Sequence, residues 1–149
     1  MDGLVYPDRR PHTGLIEMKK VLEPVLAEPV DLAAGVVRLT NRYAFTDLNC
    51  LTALWRVFAD DQVLCQGVFT PSVAPGASAE VTLPYTLPKT GKPGVEYRLD
   101  LSFRLATDAA WAPAGYELAF AQLDLPVAAP APAPIPLSRI PALTLETQG

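Results

Sequence analysis

The chain has 149 residues, of which 50% are hydrophobic and 19% are charged, and its formal net charge at pH 7 is −4. This length is enough for one domain with a substantial core, and the acidic balance offers no basic patch to a nucleic acid. No apolar run of about 18 residues occurs that could span a membrane or serve as a leader. We therefore expect a soluble, cytoplasmic protein that binds neither nucleic acid nor membrane.

Sixteen prolines are spread along the chain, and most of them lie between the apolar segments rather than inside them. Proline removes a backbone donor and interrupts helices, so a helical domain would not tolerate this number. The distribution predicts an all-β fold.

Residues 2–20 differ from the rest of the chain in their sequence pattern, which is helical rather than β-like in its second half. Thr13 is expected to cap a short helix, and Glu17 and Lys20 are spaced to pair on its outer side. The apolar side of this helix is formed by Leu15, Met18, Val21 and Leu22. A helix this short is not stable alone, so its apolar side must lie against another part of the protein.

From residue 21 the pattern becomes β-like. Residues 25–32 are predicted to form an edge strand, because Pro24 and Pro29 would break a central ladder. After a turn at residues 34–35, a strand follows whose inward side carries Val37, Leu39 and Asn41. Residues 43–49 then form a loop that leads to a long hairpin.

The hairpin spans residues 51–69. Its outgoing strand has an inward side with period two, its turn is Asp60-Asp61, and residues 62–69 run back. The inward residues are Leu51, Ala53, Trp55 and Val57. A buried tryptophan on such a strand suggests a two-sheet sandwich, in which Trp55 serves packing.

The two cysteines, Cys50 and Cys65, are predicted to be free thiols. A simple ladder closed at Asp60-Asp61 places Cys65 opposite Arg56 and Cys50 opposite Pro71, so the sulfurs do not meet. Two cysteines with a single histidine in the chain are too few for a metal site.

Three further strands are predicted: a short one at residues 80–83, a clear amphipathic one at 96–105, and one at 116–125. In the last, Tyr116, Leu118 and Phe120 share an apolar side until Leu123 and Leu125 take it over. We expect a β-bulge near Ala121 and Gln122 to explain this shift. The loop at 106–115 carries Trp111.

Together these elements predict an all-β, immunoglobulin-like antiparallel β-sandwich of about seven strands, with a short N-terminal helix and a proline-rich C-terminal tail. Residues 127–149 read as an alanine-proline linker in extended polyproline conformation, ending in a short β-like run at 142–146. No internal repeat is apparent.

Three stretches resemble large bacterial β-galactosidases of glycoside hydrolase family 2. The first resembles the end of the catalytic barrel and is matched by Asp2, Gly3, Leu4, Val5, Asp8, Arg9, Pro11, His12, Leu15, Glu17 and Lys19. The second is matched by Asn41, Arg42, Tyr43 and Phe45, and the third by Trp111, Ala114, Gly115, Glu117, Ala119, Gln122 and Leu125. The hairpin of Trp55 also aligns with the tryptophan-bearing hairpin of the domain that follows the barrel.

The resemblance implies three parts: residues 1–20 as the end of the barrel and a connector, 21–126 as the sandwich, and 127–149 as a linker to a missing C-terminal domain. The sandwich would be a non-catalytic spacer contacting both neighbouring domains, with possible subunit contacts. The parent would hydrolyse terminal β-galactosides by a retaining mechanism. The alternative is a self-standing carbohydrate- or protein-binding module, for which Tyr85 and Trp111 are the loop aromatics available.

No catalytic residue is assigned within this chain. A glycosidase needs two carboxyl groups flanking the scissile bond, and the adjacent pair Asp60 and Asp61 is better explained as a hairpin turn. His12 is expected to make hydrogen bonds at a helix start. By the resemblance, Asp2 would contribute to a cation and galactose site in the full-length enzyme only. The parent's implied cofactors are magnesium and sodium; this chain is expected to hold none.

Overall fold

The computed structural model describes residues 3–131 and 133–134. In that part of the chain it has a helix, a 3₁₀ turn at Leu48–Cys50 and seven strands. In chain order they are α1 Thr13–Val21, β1 Val25–Asp31, β2 Val36–Asn41, β3 Leu51–Ala59, β4 Gln62–Phe69, β5 Ser78–Thr82, β6 Tyr97–Leu105 and β7 Glu117–Asp124.

The strands form two antiparallel sheets, one with the order β1-β2-β5 and the other with the order β4-β3-β6-β7. This confirms the predicted immunoglobulin-like sandwich and its short N-terminal helix. In a constant-type immunoglobulin domain the fourth strand lies beside the fifth. Here the fourth strand pairs with the third instead, so β5 becomes an edge of the three-stranded sheet. Strand β7 is an edge of the four-stranded sheet.

The core lies between the sheets and is built from alternate residues of each strand, as a pleated sheet requires. Its members include Val25, Val37, Leu39, Leu51, Ala53, Trp55, Val57, Tyr97, Leu99, Leu101, Phe103 and Leu125. Fully burying one large aliphatic or aromatic side chain contributes about 1.5–3 kcal/mol. Because these members include the predicted inward apolar residues, the inward sides of the strands at 36–41, 51–59 and 97–103 are confirmed.

The hairpin closes where expected, with Ala59 opposite Gln62. Its register then shifts by one residue, so that Cys65 lies opposite Val57 and not opposite Arg56, as was predicted. The extra residue at Leu64 forms a bulge, which a count of positions from the turn cannot reveal. Both cysteines are free thiols, as expected.

The bulge in β7 is also displaced from its predicted position. The prediction near Ala121 and Gln122 is wrong, because the register with β6 runs without interruption there and shifts at Leu118. Ala119 and Ala121 lie opposite Phe103 and Leu101 in the ladder. Directly opposite residues of an antiparallel pair share a face, so the two alanines point toward the core.

As a result, the aromatic residues Tyr116 and Phe120 face outward and are 42% and 48% exposed. The predicted shared apolar side of Tyr116, Leu118 and Phe120 is therefore wrong.

Helix α1 begins one residue earlier than predicted. His12, rather than Thr13, is the N-cap, and its Nδ1 accepts a hydrogen bond from the backbone N–H of Gly14 at 3.3 Å. Lys20 pairs with Glu23, at 2.7 Å, rather than with Glu17. No residue of the helix is fully buried.

The described part of the proline-rich tail, residues 127–131 and 133–134, contains neither helix nor strand. Val127 packs against the core, and the carbonyl of Ala128 accepts a hydrogen bond from Gly91 N–H at 2.8 Å. The β-like run predicted at 142–146 lies outside the described residues.

Candidate functional site

The adjacent acids Asp60 and Asp61 form the hairpin turn, as the sequence indicated. Asp60 has a left-handed backbone with φ of 51°, and its carboxylate accepts a hydrogen bond from Glu96 N–H at 2.9 Å. Asp60 N–H in turn donates to the carbonyl of Glu96 at 2.8 Å. The side chain therefore ties the turn to the start of β6.

A second group of polar side chains covers the outer side of the four-stranded sheet. Asp100 accepts a hydrogen bond from the side-chain amide of Gln122 at 2.9 Å, and Ser102 donates to Glu117 while accepting from Arg104 at 2.9 Å. Both carboxylates are thus engaged by neighbouring side chains. Over residues 3–131 and 133–134, no group of three or more histidine, cysteine or acidic residues could hold a metal ion.

His12 also has a structural environment. Besides capping α1, its ring lies 5.0 Å from the ring of Tyr6, centroid to centroid. Because Nδ1 accepts the hydrogen bond from Gly14, the proton of a neutral ring is on Nε2. This confirms the interpretation of His12 as a hydrogen-bonding residue at a helix start.

The thiols lack the environment of catalytic nucleophiles. Burial raises the pKa of Cys50 and the pKa of Cys65, and the charge of Asp47 adds to the effect at Cys50. A raised pKa keeps a thiol protonated at neutral pH, whereas the thiolate is the reactive form.

Burial likewise raises the pKa of Tyr85 to about 12, helped by the charge of Asp31 and, in alkali, by that of the Cys65 thiolate. The Tyr85 hydroxyl donates to the carbonyl of Leu32 at 2.7 Å, and its ring centroid is 6.0 Å from that of Trp55. It therefore belongs to the packing of the sandwich. This position counts against Tyr85 as an exposed sugar-binding aromatic.

The most distinctive surface is an open apolar groove between α1 and the start of β7, called here the α1 groove. It is lined by Pro11, Leu15, Ile16, Lys19 and Tyr116. Ile16 is 62% exposed, and Val21 and Leu22 further along the helix are similarly exposed. Trp111 extends the surface, because its ring packs edge-on against Tyr116 with centroids 5.7 Å apart.

A further exposed aromatic lies at the same end of the sandwich. Phe45 is 94% exposed in the loop between β2 and β3, and Trp111 is 64% exposed in the loop between β6 and β7. These two loops meet, since Ala106 N–H donates to the carbonyl of Cys50 at 3.1 Å. Exposed aromatic rings such as these two are candidates for an interaction surface.

Sequence reasoning missed most of this surface. Ile16 was not placed on the apolar side of the helix, and Tyr116 was placed inside the core. The missed signal is the pair of alanines, Ala119 and Ala121. They lie opposite core residues of β6 and face inward, which leaves the alternate residue, Phe120, facing outward. Asp2, the predicted binding residue, lies outside the described residues.

Comparison with known proteins places these features in a family. A family model described as β-galactosidase, domain 4, matches residues 37–126, which is more than half of the chain. The chain belongs to this β-galactosidase domain 4 family. The match covers strands β2 to β7, including the hairpin of Trp55.

Three relatives named β-galactosidase illustrate the relationship. The protein of Priestia megaterium is 36% identical over 128 residues, that of Aeromonas hydrophila is 32% identical over 145, and that of Actinobacillus pleuropneumoniae is 38% identical over 126. These alignments cover 86%, 97% and 84% of the chain. They cover only 12%, 14% and 12% of the relatives, so the chain spans about an eighth of their length.

The alignment with the Aeromonas protein covers 97% of the chain. It therefore extends beyond residues 37–126, which the family model matches. Over the described residues, the helix is too short and too polar to cross a membrane.

Proposed function

We propose that this chain is a non-catalytic spacer domain of a larger β-galactosidase-like glycoside hydrolase. The observation that carries the proposal is its membership of the domain 4 family together with its span of 12–14% of the relatives. Residues 1–20 are the end of the catalytic barrel and a connector, 21–126 the spacer, and 127–149 a linker to a C-terminal domain. The parent hydrolyses terminal β-D-galactosides, and its paired carboxylates lie outside this chain.

The α1 groove supports a docking role. An exposed isoleucine, leucine and valine on one short helix, beside two exposed aromatics, are costly in water and favour burial against another domain. The occupant proposed here is the barrel, because residues 2–19 resemble the segment that ends it. The sandwich would thus hold the barrel and the C-terminal domain in fixed relation.

The proposal includes the parent's cofactors and location. Magnesium and sodium would be bound by the barrel, with Asp2 contributing to a cation and galactose site only in the intact enzyme. The two free thiols fit a reducing compartment, and a cytoplasmic location is proposed on that ground.

A second candidate is a self-standing binding module. The observation in its favour is Trp111, which is 64% exposed and braced by Tyr116 as a sugar-stacking ring would be. A platform for a sugar chain generally needs several such rings in a row. Tyr85, the other loop aromatic, is bound to Leu32 instead.

The reading frame of the gene tests the spacer proposal. We expect the frame to continue on both sides of this segment, with a glycosidase barrel encoded upstream. The product of the complete frame should hydrolyse a chromogenic β-galactoside and lose activity when the barrel's carboxylates are replaced by amides. A frame that begins at Met1 and ends after Gly149 would overturn the proposal.

A further inference from the structure

Strand β7 is the outer strand of the four-stranded sheet and exposes one row of backbone groups. An unpaired edge of this kind is a template for association with another strand, and proteins usually protect it. In this protein three side chains from α1 and the residues after it reach the edge. They are Lys19, Lys20 and Glu23.

These side chains bond the edge backbone groups of β7 as the backbone of a further strand would. Lys19 Nζ donates to the carbonyl of Glu117 at 2.8 Å, and Lys20 Nζ donates to the carbonyl of Phe120. Glu23 Oε2 accepts a hydrogen bond from Phe120 N–H at 3.3 Å. Both backbone groups of Phe120 are therefore satisfied by charged side chains.

These three side chains, called here the clamp, include an ion pair between two of their members. Lys20 Nζ lies 2.7 Å from Glu23 Oε1, and the Glu23 side chain is only 5% exposed. A carboxylate this deeply buried needs partners, and it has two here. The ammonium groups of Lys19 and Lys20 also lie 4.8 Å and 4.3 Å from the ring centroids of Tyr116 and Phe120.

A second tie fixes the other side of the helix end. Arg42, directly after β2, donates from Nη1 to the carbonyl of Val21 at 3.0 Å, and its N–H donates to the carbonyl of Pro24 at 2.8 Å. The end of α1 is thus bonded both to β7 and to the residue that follows β2. These bonds restrain the helix about its connection to β1.

We infer that Lys19, Lys20 and Glu23 are positioning residues that cap the free edge of β7 and fix the direction of α1 relative to the sandwich. Resting on the proposed function, this gives the spacer a rigid joint to the domain that precedes it. Because Lys19 and Lys20 are committed to β7, Met18 and Val21 on the remaining surface of α1 are left exposed. The preceding domain can therefore pack against apolar residues of α1 that are already in position.

Two measurements on the complete chain test the clamp. Amide hydrogen exchange reports the Phe120 N–H, and residual dipolar couplings report whether α1 shares the orientation of the sandwich. In Glu23→Gln, which removes the charge of the group that accepts from Phe120 N–H, we expect Phe120 exchange to accelerate roughly ten- to a hundredfold. Lys20→Met removes the donor to the Phe120 carbonyl and tests the orientation of α1. The α1 couplings should shrink and no longer fit the orientation of the strands.

Lys89→Met is the matched control, because Lys89 is an exposed lysine in the loop after β5. It should change neither readout. If Glu23→Gln fails to fold, as judged by near-ultraviolet circular dichroism, Lys19→Met and Lys20→Met carry the test. These two remove side chains that retain solvent exposure.

Unchanged α1 couplings in Lys20→Met, or unchanged Phe120 exchange in Glu23→Gln, would overturn the clamp. That result would leave the spacer assignment standing, since neither measurement involves a galactoside. Conversely, galactosidase activity in the chain would overturn the spacer assignment without affecting the clamp.

Discussion

The indole of Trp55 lies against the backbone of Gly67, its partner on the adjacent strand. A Cβ atom added at Gly67 would stand 2.7 Å from Cζ2 of the indole, closer than two carbon atoms approach without repulsion. Trp55 is only 5% exposed in this arrangement. A large core residue and a residue without a side chain are thus complementary across the hairpin.

Gly67→Ala should therefore destabilise the sandwich by about 1–3 kcal/mol, the usual cost of overpacking a filled core. Urea denaturation measures the change in the free energy of unfolding. Gly14→Ala is the control, because Gly14 lies in the first turn of α1 and an added Cβ there would make only an ordinary contact, 3.8 Å from His12 Nδ1. It should be neutral or stabilising by up to about 1 kcal/mol. Equal effects of the two substitutions would contradict the close contact at Gly67.

Trp55→Ala should cost about 3–5 kcal/mol, since it leaves a large cavity between the sheets. Trp111→Ala removes the same side chain from an exposed loop and should change the free energy of unfolding by no more than about 0.5 kcal/mol. Urea denaturation of both variants checks this difference. A small loss for Trp55→Ala would show that the indole is not a central packing residue.

The sequence predicted the sandwich because its strands alternate cleanly. In β6 every second residue from Tyr97 to Phe103 is apolar and buried, and the tryptophan hairpin follows the same rule. Such a pattern fixes which side faces the core without knowledge of the partner strand.

The details that failed depend on neighbours. The bulges at Leu64 and Leu118 and the outward turn of Tyr116 are set by cross-strand fit, which a single strand does not encode. The α1 groove was missed for the same reason. Its position follows from lysine contacts to β7, about 100 residues further along the chain.

Tyr85→Phe removes the hydrogen bond to the carbonyl of Leu32 and should cost about 1 kcal/mol at neutral pH. Tyr116→Phe, at an exposed tyrosine, serves as the control and should cost less. Urea denaturation of the two variants at neutral pH gives the comparison, and equal losses would contradict a stabilising bond at Tyr85.

The same tyrosine predicts a loss of stability in alkali. The folded pKa of Tyr85 is about 12, above the ordinary value of 10.0, so the fold favours the neutral phenol. The contribution of the neutral phenol to the free energy of unfolding is complete below pH 10 and is lost as the pH rises through about 12. The wild-type chain should therefore lose more stability over this range than Tyr85→Phe. Parallel losses in the two proteins would contradict the shift.

The exposed α1 groove should make the isolated chain self-associate as its concentration rises, because the docking partner is absent. Ile16→Lys should abolish this association, as followed by light scattering. Val68→Lys is the matched control, since Val68 is 67% exposed on β4 and Ile16 is 62% exposed on α1. A wild-type chain that remains monomeric, with α1 mobile and solvated, would count against the groove as a docking surface.

Hydrolysis of a chromogenic β-galactoside by the chain itself tests the spacer assignment most directly. The chain is purified from a host without its own β-galactosidase, assayed across a range of protein concentrations and titrated with galactose by calorimetry. We predict no hydrolysis above the buffer rate and no saturable heat. Saturable galactose binding without turnover would favour the binding module, and hydrolysis that rises in proportion to the protein concentration would contradict a non-catalytic domain.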